Sequence, residues 1–470
     1  MKQSPENFQI RGARFEAAPT AITTVAGLRL LMAAAHHVKL TQAIRSHIKV
    51  KKIASGFGEE EFLLPLVCNL ALGRCDLNDI TELRQDKELT KLVFGRTKLP
   101  SERRLAEHLA AYKESDLAGL KRVNASLLEY LELLAEEPAG RIPLDFDSSC
   151  FEQYGTQKEQ MGRHYSGTMG FNPVFAFVGR NGFALNSLLR PGNDKDSSGL
   201  EPFLKETLSL LPRPLRSRLV ARFDSGFYSQ HNVATLLTEE IDFIVKARLC
   251  DALRTAVTEE LEAGRTSVAA TPYGGDVYGE FTYQPKGWPQ PLRYCFCLQI
   301  EEKEQNGQLL LIPRRQDLIV VTTLGAEEAT AQQVFEGYRR RGRAEQFIKE
   351  LKGPLNLEQL PTQSFRANEV MLQAGLLAYN LLLLLEANWE GWQRKPGKKE
   401  KADGIERSIG RRSLRTVQEK LLFCAATIIH HARTVVLKVA GWWLESIQPN
   451  RILERIKTLR PKPGPVLAQG

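Results

Sequence analysis

A chain of 470 residues, 43% hydrophobic and 25% charged, is long enough for about two to four domains and is neither disordered nor membrane-embedded by composition. Its 64 Lys and Arg outnumber 55 Asp and Glu, a formal charge of +9, which suits a phosphate-rich partner without requiring one. Seven cysteines without a Cys-x-x-Cys pair suggest neither a disulfide framework nor a zinc site and fit a reducing cytoplasm. The N-terminal MKQSPENFQIRGARFEAAP lacks the apolar core of a leader. The most apolar run, 370–385, is interrupted by Gln373 and Asn380 and predicts a buried helix, so no membrane partner is expected.

Residues 1–139 form the first expected unit, helical from about 20 onward, with apolar residues recurring at three and four in AGLRLLMAAAHHVKLTQAI and LAGLKRVNASLLEYLELLAEE. Ser101 is the natural cap of the helix RRLAEHLAAY. Lys49, Lys51, Lys52, Arg103 and Arg104 fit a helix-turn-helix DNA reader and a bundle with a solvated basic face equally well.

At Arg141 the pattern changes. RIPLDFDSS reads as a strand, and NPVFAFVGRNGFALNSLLRPGN reads as a hairpin turning at Arg180-Asn181-Gly182. The helix EPFLKETLSLL, the strand RLVARFDS, the helix SQHNVATLLTEE and the strand DFIVKAR follow. Strands separated by such helices predict a mixed sheet with parallel members. Residues 265–325 alternate between turns and predict a small β-rich insertion in a domain spanning 140–390. The Lys-, Arg- and Gly-rich 391–415 reads as a mobile basic linker, and 391–470 as a basic tail of helices ending in RPKPGPVLAQG.

The chemistry concentrates in YRRRGRAEQFIKELK, residues 338–352. On one helix with Tyr338 at 0°, Arg341 falls at about 300°, Glu345 at about 340° and Lys352 at about 320°, an arc of roughly 60°. Ala344, Phe347, Ile348 and Leu351 line the adjacent apolar side, and Glu350 points away. An ordinary amphipathic helix with an Arg341–Glu345 pair is the plainer account of the same spacing. Asp224 ends an apolar strand, where a ligand belongs in an open α/β sheet, although an Asp-Ser-Gly turn cap has the same look. Asp145 and Asp147 share one strand face, and Asp147 stands nearer the strand end.

Tyr, two residues, Arg, three, Glu, six, Lys resembles the Y-R-E-K signature of bacterial insertion-sequence DDE transposases. LDFDSSCFEQYGTQKEQ, HYSGTMGFNP, SLLRPGN and ARFDSGFY resemble the stretches around the first two catalytic Asp residues of one branch, over roughly residues 141–385. Ser149 stands where that branch often has Thr. The resemblance implies an RNase H-like catalytic core, with Asp147, Asp224 and Glu345 as the metal-binding acids and Asp145 as second choice for the first. It implies Mg²⁺ or Mn²⁺ as cofactor, double-stranded DNA (transposon ends and target) as partner, and a homodimer bridging two ends. Cut-and-paste transposition in the bacterial cytoplasm, on nucleoid DNA, follows, with a hairpin as one route of excision. Tyr338, Arg341 and Lys352 would contact DNA phosphates. Trp288, matching a Trp at this place in similar proteins, would either stack on an unpaired base or anchor the insertion. A plain RNase H-like nuclease and a non-cutting DNA binder derived from a transposase are the competing readings.

Overall fold

The computed structural model describes residues 20–461, apart from 51–55, 134–139, 156, 196–197, 270–275, 302–303, 306–307, 310–313, 391–410 and 433. Seven helices come first among the described residues: α1 (Leu28–His37), α2 (Leu40–His47), α3 (Glu59–Ala71), α4 (Ile80–Gln85), α5 (Lys87–Phe94), α6 (Glu102–Ala110) and α7 (Glu114–Leu128). Ser101 caps α6 by accepting the Arg104 N–H. The basic Lys51 and Lys52 fall outside the described residues.

The next stretch supplies β1 (Ile142–Ser148), the hairpin β2 (Val174–Val178) and β3 (Phe183–Leu188), the helices α8 (Leu200–Ser209) and α9 (Arg213–Arg216), then β4 (Leu219–Phe223). Helix α10 (Gln230–Thr238), strand β5 (Asp242–Lys246) and helix α11 (Asp251–Glu262) follow, then β6 (Thr266–Ala269), β7 (Asp276–Tyr283), β8 (Leu292–Glu301) and β9 (Arg314–Thr322). All nine strands join one sheet in the order β6-β7-β8-β9-β5-β4-β1-β2-β3. Only β1–β4 and β4–β5 pair in parallel; every other neighbouring pair is antiparallel. The fold is mixed α/β, with a large mixed sheet and many helices, as the strand and helix order predicts.

The 265–325 segment departs from expectation. It is β-rich, but it is not a separate unit: β9 pairs with β5, and β8, β7 and β6 extend the same sheet. Its run Ile319, Val320 and Val321 is buried on both faces, as an inner strand requires.

Beyond β9, α12 (Ala331–Arg340) and α13 (Arg343–Lys352) replace the single helix expected over 338–352. Arg341 N–H bonds to the Tyr338 carbonyl and Ala344 N–H to the Arg341 carbonyl, the three-residue spacing of a tightened turn around Gly342. Helix α13 docks through Phe347, whose ring lies 5.3 Å from that of Phe177 on β2. It also abuts Gly182, where a Cβ would lie 2.1 Å from the Phe347 ring and where φ is +69°. The hairpin turn and the docking of α13 therefore both depend on that glycine.

Helix α14 (Phe365–Ala387) is the predicted buried helix. By length and composition it could cross a membrane, but it is buried inside the protein. Its interrupting polar residues bind the sheet edge: Asn380 bonds Ala184 N and O (3.0 and 2.8 Å) and Asn124, while Gln373 Nε2 donates to Ser187 O at 2.7 Å. The N-terminal helices and the sheet thus share one core through α14.

The C-terminal region is not purely helical. Ala426–His430 pairs with Val435–Lys438 and with Ile22–Thr23 near the start of the chain. The residues expected as a basic linker fall largely at 391–410, outside the described residues, as does most of the Pro-rich end. Arg411 and Arg412, read as part of that linker, are buried. Arg411 Nη2 meets Glu350 Oε2 at 2.6 Å and the Tyr379 hydroxyl at 3.1 Å, and Leu414 N–H donates to Glu350 Oε1. The Glu350 that points away from the Glu345 margin is therefore clamped from behind. Because removing one partner of a buried pair strands the other charge, Arg411→Ala should cost roughly 3–5 kcal/mol in urea unfolding. A loss below about 1 kcal/mol would show that Glu350 has other compensation.

Candidate active site

Strands β1 and β4 lie side by side and in parallel, with Asp145 opposite Arg222. Two residues further along the same faces stand Asp147 and Asp224, at the ends from which an open α/β sheet presents its ligands. Asp147 is 7% exposed; its Oδ1 accepts the Ser148 N–H and its Oδ2 lies 3.2 Å from Arg341 Nη1. Asp224 caps the turn Ser225–Phe227, its Oδ1 accepting the Gly226 N–H at 2.9 Å. The turn-cap reading thus holds for one oxygen of Asp224.

Electrostatics brings the third acid in. Burial pushes the Asp147 carboxyl up to about 7, with Asp224 and Glu345 adding to the rise and Arg341 opposing it. Glu345, in the first turn of α13, is exposed. Burial works against the Arg341 charge, but Asp147, Tyr338, Asp224 and Asp145 together hold it above its ordinary value. Burial likewise raises the Tyr338 phenol to about 12 against the pull of Arg341, so it remains a neutral donor. Its ring faces the Arg341 guanidinium at 5.9 Å. Despite the break between α12 and α13, Tyr338, Arg341 and Glu345 all lie within electrostatic reach of Asp147.

The donor set is all carboxylate oxygen, the chemistry that Mg²⁺ and Mn²⁺ accept. Among the described residues, however, no three His, Cys, Asp or Glu side chains stand close enough to close a metal shell by themselves. Arg341 occupies the side of Asp147 where a cation would be welcome. Its Nη1 is buried and, though 3.2 Å from Asp147 Oδ2, makes no aligned hydrogen bond.

The other expected site residues have different surroundings. Asp145 is bound through both oxygens to Arg222, at 2.6 and 2.7 Å. Lys352 Nζ bonds Cys150 O at 2.7 Å and Glu358 at 2.8 Å, with Ser149 Oγ at 3.4 Å, so its donors hold the loop that follows β1. Trp288 is 9% exposed and packs against Tyr228 with ring centroids 5.2 Å apart. Tyr228 follows the Asp224 turn, and Gln230 donates to the Gly287 carbonyl beside Trp288. The β7–β8 turn therefore buttresses the Asp224 loop. Arg248, absent from the sequence reading, donates from Nε to Ser225 O and from Nη2 to Gly226 O on the other side of that loop. Its position just past β5 was the available signal.

These contacts predict that Trp288→Ala lowers unfolding stability by roughly 3 kcal/mol through lost packing. DNA affinity per folded molecule, read by titration with correction for the folded fraction, should not change. A selective loss of DNA binding at undiminished stability would assign the ring to DNA instead.

No curated protein matches this chain. Among solved structures, a similar one is the cryo-EM piggyBac transposase synaptic complex with hairpin DNA, 11% identical and covering 96% of this chain and 90% of that chain. Its TM-score of 0.38 is too low to bear on function. The family model described as Transposase DDE domain group 1 matches residues 11–461, nearly the whole chain, and places the protein in that family.

Proposed function

We propose that the protein is a metal-dependent transposase that cleaves the ends of its DNA element and transfers them to a target by cut-and-paste transposition. The observation that carries this is the site at the ends of β1 and β4: a buried Asp147 that feels Asp224 and Glu345, with Arg341 alongside, in a chain of the DDE family.

Asp147, Asp224 and Glu345 would hold Mg²⁺ or Mn²⁺. Bound there, the metal supplies activation of an attacking oxygen and stabilisation of the leaving one. Asp145 is committed to Arg222, which favours Asp147 as the first acid. Arg341, fully charged and with a poorly aligned buried Nη1, is suited to turn from Asp147 to a DNA phosphate. Tyr338 offers a neutral hydroxyl to the same phosphate, and Lys352 keeps the loop beside Asp147 in place. The likeness to the Y-R-E-K insertion-sequence enzymes favours bacterial origin, a homodimer joining two ends, and work on nucleoid DNA in the cytoplasm.

Supercoiled plasmid carrying the sequences that flank the gene tests this. Cutting at the element ends and insertion elsewhere is expected. A shift without cutting would indicate a DNA binder, and nicking without regard to the ends a plain nuclease. Asp147→Ala, Asp224→Ala and Glu345→Ala should each abolish cleavage and leave end binding largely intact. Arg341→Ala should lower the salt dependence of end binding by about one phosphate contact.

The proton on Asp147 gives a second test. Its folded-state pKa of about 7 lies above the ordinary carboxylate value, so the folded protein binds more protons between those two pH values. In the metal-free protein the stability from this group is fully present below the ordinary value and is lost as pH rises through about 7. A divalent cation competes with that proton. Mg²⁺ should therefore raise the thermal midpoint more at about pH 8 than at about pH 5.5, and Asp147→Asn should remove the difference. An equal shift at both pH values would separate Asp147 from the metal.

A further inference from the structure

Arg222 is 1% exposed and lies on β4, two residues before Asp224. Its guanidinium grips Asp145 through Nε and Nη2, at 2.6 and 2.7 Å, and Asp145 lies on β1, two residues before Asp147. The two are direct partners in the parallel register, so their pair sits one pleat behind Asp147 and Asp224. Arg222 Nη1 then donates to the Gly337 carbonyl at 2.7 Å, in the last turn of α12 and one residue before Tyr338. That carbonyl is available because of the break after α12. Arg341 N–H, which would reach Gly337 O in a continued helix, bonds Tyr338 O instead. One planar side chain therefore touches both strands bearing the Asp residues and the helix end from which Tyr338 and Arg341 project.

We propose that Arg222 and Asp145 are positioning residues for the reaction: their buried pair sets the mutual placement of Asp147, Asp224 and the turn at Arg341. This rests on the metal-site reading of Asp147 and Asp224. A guanidinium suits the task because its donors leave in fixed directions; an ammonium could hold the charge but not all three contacts. The pair explains why two aspartates share the face of β1. The inner one orients the strand, and the outer one is left for chemistry. It also changes what an Asp145 variant means, because loss of cleavage there need not mark a metal ligand.

The test uses the full chain with two changes: Asp145→Leu combined with Arg222→Met, and Arg222→Lys alone. Replacing both members of a buried pair with apolar groups of similar volume is often tolerated by the fold. The measurements are thermal midpoint, Mn²⁺ binding by electron paramagnetic resonance, affinity for flanking-sequence DNA, and kcat and KM for its cleavage. In the double variant the midpoint, Mn²⁺ stoichiometry and KM are expected to stay near wild type, while kcat falls roughly 10- to 100-fold. Arg222→Lys should lower kcat in the same sense, and it decides the matter if the double variant does not fold. Wild-type kcat in the folded variants overturns the proposal. So does a kcat loss that disappears once activity is expressed per folded molecule. If wild type itself cuts no end DNA, it is the proposed function that fails, and the variants are not needed to show it.

Discussion

Carboxylates brought together in a desolvated place repel one another and lose hydration, so whatever holds them must lie outside the group itself. In this protein the holding element is the parallel register between β1 and β4. It fixes Asp147 and Asp224 at adjacent strand ends whatever their charges prefer. The opposing force is visible in Asp147, which keeps its proton to about 7 because burial and its acidic neighbours outweigh Arg341. The sheet interior, with Phe146 and Phe223 stacked at 4.6 Å, provides the rigidity that this arrangement consumes. Helix α13 brings Glu345 within electrostatic reach of Asp147 by a separate route, through Phe347 on the β2–β3 hairpin.

Much of this was legible beforehand, and the reasons differ by element. The place of Asp224 at a strand end could be read because an apolar strand ends abruptly in Asp-Ser-Gly. The hairpin at residues 179–182 could be read because Asn-Gly turns have few alternatives. Helix α14 could be read as buried because Gln373 and Asn380 interrupt its apolar run, and both proved to bind the β3 edge. The order of strands and longer helices from β1 to β5 followed from period and turn residues, while the four-residue α9 did not.

What sequence pattern misses is partner choice. Alternation in 265–325 revealed strands but not which sheet they would join, and an isolated unit seemed natural. The correcting sign was the continuous run Leu318, Ile319, Val320 and Val321, since a strand open to water on one face would alternate. Helical periodicity through 338–352 likewise hid the break at Gly342, because a tightened turn advances the chain at nearly the same angle. Charge misled in two directions. Arg411 and Arg412 stood in a basic run that looked solvated, yet each is buried, Arg411 on Glu350 and Arg412 stacked 3.9 Å from Trp389. Lys352, apparently a free cation beside the acids, spends its donors on the protein.

The clamp on α13 also has a temporal side. Glu350 is 2% exposed and finds its partner 61 positions later, so a chain still emerging from the ribosome has the helix but not the counter-charge. Until Arg411 arrives, the carboxylate of Glu350 must either stay hydrated, holding α13 off the sheet, or be buried alone at a cost of several kcal/mol. The pairing of Ile22–Thr23 with Ala426–His430 imposes a similar wait on Ile22 and Thr23. Glu345 on α13 therefore reaches its place late in synthesis, and a chain interrupted before Arg411 would lack the pair that seats that helix.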